Sequence, residues 1–257
     1  MSAGIHYIPI DDANTICIDR MGANLDVDSS AAEDVWAYGG DWVAPTAART
    51  HTLVSSSAAD AAAGTGARTL HVRGLDADYN IQEEMISLNG QSNVVTANAY
   101  IILDHAHVTT AGSGGTNAGN ITITASVDAT AQGYIASGVG TTLNAWYQVP
   151  AGYTGYLLQW GAGVQQTSAS NAIDVFLYKK DFGGIFVMQD VIPLYTGGTS
   201  HAHHEYCLPQ PFAAKSIVKM RAANATANNN DVHVTFALLL VKSAGPARWV
   251  GLPNYRR

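Results

Sequence analysis

Apolar and polar positions alternate in short runs from about residue 51 to residue 241, and each run is closed by Gly, Pro, Asn or Asp. A period of two over five to ten residues predicts half-buried strands, and the gaps between runs are too short for helices. The most informative stretch is residues 146–160. Its first strand stops at Pro150, turns through Ala151-Gly152, and restarts with Tyr156, Leu158 and Trp160 expected on one face and Leu157 and Gln159 on the other.

The same grammar predicts strands at 51–55, 68–75 and 81–88, with Asn89-Gly90 as a hairpin signal. An apolar strand is expected within 94–108, and a short alternating one at 121–125. Later strands are expected at 143–149, 155–165, 172–179, 185–191, 203–208 and 216–222. Residues 232–241 become apolar on both faces at their end, as a central strand should. Strands recurring every 8 to 15 residues or so fit an all-β, antiparallel β-sandwich of jelly-roll-like type.

Three segments are expected: an N-terminal arm over 1–49, a sandwich body over 50–245, and a short tail over 246–257. The arm carries scattered acids, and Ser30 with Glu33 suggests the capping box of a short helix before Gly39-Gly40. Trp36, Tyr38 and Trp42 cluster near that Gly-Gly turn and mark the arm as docking on its own body or on a neighbour; they are the expected interface residues.

Composition sharpens the picture. Hydrophobic residues make up 47%, enough for a sizeable core, while charged residues reach only 13%; the usual fraction is about 25%. A polar surface built from Ser, Thr, Asn, Gln and Gly repels its neighbours poorly, which suits a protein covered by sister copies. The net charge of −7 and scattered Lys and Arg argue against a nucleic-acid partner. No apolar run of spanning length implies a membrane helix, and the first residues do not read as a secretory signal. Cys17 and Cys207 are expected to be small buried hydrophobes, unbridged.

Candidate chemistry is sparse. His201 and His203 alternate onto one strand face and are the weak candidates for a metal, one histidine per subunit around a three-fold axis. His-rich surface strands are commonly just polar, so no metal or other cofactor is assigned. Asp104 precedes His105 and His107 on the opposite strand face, which disfavours a carboxylate–imidazole pair there, and no nucleophile elbow is present. Asp76, Asp78 and Asn80 have calcium-loop spacing, but Ile81 stands where Gly is needed and Ser87 where Glu is needed, so a plain turn is expected. Trp146, Tyr153, Tyr156 and Trp160 form a sugar platform only if exposed; alternation favours core or interface anchors. No catalytic residue is assigned, and the chain is not expected to be an enzyme.

Several runs together carry a likeness: Val54 to Asp60 before Gly64 to Arg68, Gly74-Leu75-Asp76, Glu83-Glu84, Leu88-Asn89-Gly90 and Gly115 to Ile121. Val149 to Gly152, Gly183 to Phe186, Pro209 to Phe212, Val218 to Ala222 and Asn228 to Val232 extend it. This string resembles virion structural proteins of tailed phages, especially those of marine bacteria and cyanobacteria, over about residues 30–242. Its motifs are turn and strand signatures, so the resemblance implies a lineage and a virion location and carries over no site residue. The expected role is a capsid decoration or cement protein, a homotrimer seated on the major capsid protein. The alternative is a tail, fibre or spike component that binds a host-surface glycan.

Overall fold

A computed structural model describes residues 14–165, 171–197 and 200–243, and the expected tail over 246–257 lies outside them. The alternating runs form strands, and among the described residues there is no helix. In chain order the first are β1 (Thr15–Val27), β2 (Glu33–Asp34), β3 (His51–Ser55), β4 (Ala67–Leu75), β5 (Ile81–Ser87) and β6 (Val94–Val95). Next come β7 (Ile102–Ala111), β8 (Ile121–Ala125), β9 (Ala131–Ile135), β10 (Trp146–Gln148) and β11 (Tyr153–Gln165). The last are β12 (Ala172–Lys180), β13 (Phe186–Tyr195), β14 (His201–Phe212), β15 (Ile217–Ala223) and β16 (Asn230–Lys242).

They pair antiparallel into sheets ordered β1-β16-β11-β14, β10-β15-β12-β13 (with β2 beside β15), β6-β3-β8-β9 and β5-β4-β7. The first two sheets share one core, in which Leu157, Trp160, Val175, Met220, Phe236 and Leu238 are buried. The other two share a second core around Leu53, Leu70, Tyr100, Ile121 and Ile135. The chain therefore starts one lobe with β1, builds the other with β3 to β9, and returns. A third cluster joins the lobes: Trp36, Trp42, Leu75, Ile102, Trp146 and Ile217.

Several expectations are corrected. Residues 15–27 are not an arm, because β1 pairs along its length with β16 and closes one edge of the first sheet. The helix expected after Ser30 is absent; turns lead into β2, which pairs with Arg221 and Ala222 of β15. Trp36 and Trp42 are buried between the lobes, and Trp42 stacks on Trp146 with ring centroids 4.6 Å apart. Of the three expected interface aromatics, only Tyr38 remains exposed. Asn89-Gly90 does turn, with Gly90 at φ +60°. It joins no hairpin, since β5 pairs with β4 while β6 pairs with β3.

A register shift between Leu157 and Gln159 changes which β11 residues face the core. Leu157 and Trp160 both point inward, whereas unbroken alternation places them on opposite faces. A one-residue bulge has this consequence because strand side chains alternate with period two. Both cysteines are exposed and unpaired, not buried as expected.

Candidate functional site

The pairing register defines an uncovered apolar face. In β12, Ile173, Val175 and Leu177 are buried, so Asp174, Phe176, Tyr178 and Lys180 point away from the core. Their partners across the ladder on β13 are Pro193, Val191, Met188 and Phe186, with Gln189 left unpaired by a register shift. Between Asp174 and Lys180 this outer face therefore presents Phe176, Tyr178, Met188 and Val191, with Tyr195 beyond Pro193. Met188, Val191 and Tyr195 are all exposed. On the neighbouring β15 the outward Lys219 and Arg221 are engaged by Asp34 of the adjacent β2, with Lys219 Nζ at 2.9 Å and Arg221 Nε at 3.5 Å. Burial pushes the Asp34 carboxyl up, against the pull of Lys219 and the Trp42 amide.

β13 and β14 are edge strands, one in each of the two sheets of this lobe. One carboxylate ties them. Asp190 Oδ2 accepts from Trp160 Nε1 at 3.1 Å, Tyr206 Oη at 2.9 Å and His204 Nδ1 at 2.6 Å, while Oδ1 accepts the Val191 amide at 2.9 Å. Partial burial pushes Asp190 up, but the donors outweigh it and hold the carboxyl below its usual range. A groove of about 340 Å³ opens beside it, floored by Leu177 and Phe212.

His201 and His203 lie on the outer face of β14, opposite Gly163 and Gly161 of β11. Both are exposed, and His203 Nε2 is 3.9 Å from Glu205 Oε1. Among the described residues no group of three or more His, Cys, Asp or Glu side chains converges as a metal site requires.

The Asp104 region differs from expectation in its geometry. β7 pairs Leu103 with Gly74 and His105 with Arg73, so Asp104 is an extra residue in a bulge. Its carboxylate is buried between the lobes, 3.6 Å from Arg20 Nη2 of β1 and 3.9 Å from Arg73 Nε of β4. Burial raises its pKa against both arginines. Glu83 lies 3.6 Å from Arg73 and 3.1 Å from His71, whose ring is 5.1 Å from that of His107. His105 is lowered to about 3, by burial first and then by Arg20 and its histidine and arginine neighbours. It is therefore neutral at ordinary pH. Thr142 Oγ1 is 3.3 Å away but is itself buried and accepts the Ala106 amide. This is an ionic seam between lobes, without the exposed, activated hydroxyl that acyl-transfer chemistry needs.

Asp76 caps its own turn by accepting the Asp78 and Asn80 amides at 2.8 Å each, as the plain-turn reading expects. Trp146 and Trp160 are core residues, which removes them from any sugar platform. The Asp190 node escaped sequence reasoning. A single Asp among apolar neighbours on a strand was the available signal, but its three side-chain donors come from β11 and β14.

No family model matches the chain, and no curated protein matches it. Solved structures give faint likenesses. The VP2 subviral particle of infectious bursal disease virus matches 92% of this chain and 74% of that chain at 12% identity, with a TM-score of 0.25. The infectious bursal disease virus Gx strain structure matches 92% and 84% at 11% identity, with a TM-score of 0.15. Likenesses at these scores carry no argument about this chain.

Proposed function

We propose that the chain is a non-enzymatic structural protein of a phage virion that works through contacts between its own copies. The observation that carries this reading is the uncovered face of β12 and β13, where Phe176, Tyr178, Met188 and Val191 lie together without a charge between Asp174 and Lys180. Copies bearing a net charge of −7 repel one another, and an apolar strip of β12 and β13, bordered by the mutually paired Arg221 and Asp41, is where they meet at least cost. Its occupant is a second copy, and the assembly expected from the sequence is a homotrimer.

The strand order supports the finer fold reading. With β2 to β9 set aside, the remaining eight strands in chain order form sheets 1-8-3-6 and 2-7-4-5. We read this as a jelly roll with a second sandwich inserted after its first strand. That architecture serves viral capsid and lectin domains alike, so it leaves the role to the surfaces.

In this proposal the oligomer decorates or cements a capsid, with the major capsid protein as partner. Each seam it covers gains about 25 cal/mol per Å² of apolar contact, repeated over many copies. The resemblance to tailed-phage virion proteins supplies the location. A tail or spike position is the competing placement, and imaging of particles carrying a labelled subunit separates the two. Native mass spectrometry and light scattering test the assembly. A multimer that Val191→Arg dissociates, with the melting of the fold retained, is the expected result. A lone monomer at all concentrations, or a multimer indifferent to Val191→Arg, overturns the proposal.

A further inference from the structure

A cavity of about 250 Å³ opens where the lobes meet, and its chemistry is not that of the surrounding surface. Tyr79 comes from the β4–β5 turn of the inserted lobe, Phe182 from the β12–β13 turn, and Lys215 from the approach to β15. Lys215 Nζ sits 4.6 Å from the Tyr79 ring and 4.9 Å from the Phe182 ring, and the two rings meet edge to face at 5.5 Å.

Two residues of this constellation hold backbone conformations that side chains resist: Tyr79 at φ +69° and Lys215 at φ +67°. Such conformations persist only where the surroundings enforce them, and residues of this kind gather at ligand clamps. Both are held by the surrounding backbone. The Tyr79 carbonyl accepts the Ala151 amide at 2.8 Å, the Lys215 amide donates to Val149 at 2.8 Å, and Gln148 Nε2 donates to the Lys215 carbonyl at 2.9 Å.

The charge is also local and reversed. On a chain of net charge −7, Lys180 and Lys215 both line this cavity. Its one carboxylate, Asp181, is already 3.2 Å from Lys179. Among the described residues neither Lys180 nor Lys215 makes an ion pair; each lies over aromatic rings instead. A concave site with two uncompensated ammonium groups attracts an anion. The exposed Phe182 ring offers a platform for an apolar face, and Thr46 offers a hydroxyl at the rim. An acidic sugar carries all three complementary features: a carboxylate, a ring face of C–H groups and hydroxyls.

We propose that the lobe-seam cavity binds the carboxylate and ring face of an acidic saccharide residue, independently of whether the chain assembles. The test is an NMR titration of the isotope-labelled full chain with glucuronate, glucose and acetate. Saturable shifts at Tyr79, Phe182 and Lys215 are expected with glucuronate. Glucose and acetate are each expected to bind about ten-fold or more weakly, a loss of about 1.4 kcal/mol. Phe182→Ala, on an exposed turn, should weaken glucuronate about ten-fold or more without altering melting. Lys180→Gln and Lys215→Gln should weaken it and flatten its salt dependence, and Lys180→Gln keeps the test intact if the Lys215 variant unfolds. Acetate or glucose binding as tightly as glucuronate overturns the proposal, as does an absence of saturable shifts or an unaffected Phe182→Ala.

Discussion

At the scale of single residues, the groups that organise this molecule are buried or half-buried acids. Asp190 on β13 accepts from His204 and Tyr206 of β14, Trp160 of β11 and the next amide of its own strand, and so ties two sheets together. Asp190→Asn keeps the shape but removes the charge and turns one acceptor into a donor. It should cost about 1–3 kcal/mol at neutral pH. The folded pKa lies below the unfolded one, so the contribution is whole above about pH 4 and fades as pH falls through the lowered value. Urea titrations of both proteins at pH 7 and at pH 2 should show the difference shrink in acid. Asp34→Asn should be harsher, about 3–5 kcal/mol, because it strands Lys219, only 5% exposed, without its partner. Chemical denaturation measures it. None of this was legible in the sequence: acids read as surface or turn residues until their donors, distant in the chain, are placed around them.

Elements were legible where alternation was unbroken and illegible where a bulge intervened. β3, β8 and β12 match the pattern because each runs without a slip against a neighbour. β11 slips at Leu158, which turns Leu157 and Trp160 to the same core. β7 slips at Asp104, which frees that acid to face Arg20 and Arg73. β1 was invisible as a strand since its run mixes acids, Gly and Asn. Its place depends on Gly22. A Cβ there would meet Ala145 Cβ at 2.6 Å and the Val35 carbonyl at 2.8 Å. Gly22→Ala should force these backbones apart and cost about 1–3 kcal/mol, read as a lower melting temperature.

Across the whole molecule, two cores are joined by the tryptophan cluster and the Asp104 ion group. Trp42→Ala should cost about 3–5 kcal/mol, because it empties a stacked, buried site. If the seam is what couples the lobes, calorimetry of that variant should resolve two transitions where the parent shows one. The aromatics at 36, 38 and 42 were legible as docking residues. That Trp36 and Trp42 dock on their own chain follows only from β2 pairing with β15, about 190 residues away. The exposed face that carries the proposed assembly was equally hidden, since a Phe or Val reads the same on an inner or an outer strand face.

Local alternation, turn residues and low charge determined by themselves that the body of this chain is antiparallel β, with an exterior poor in charged side chains. Those properties are set by neighbours in sequence. Which acids are clasped, which face stays uncovered, and that the chain divides into two cores were decided by register and by pairings across more than two hundred residues, where one slipped residue exchanges inside for outside.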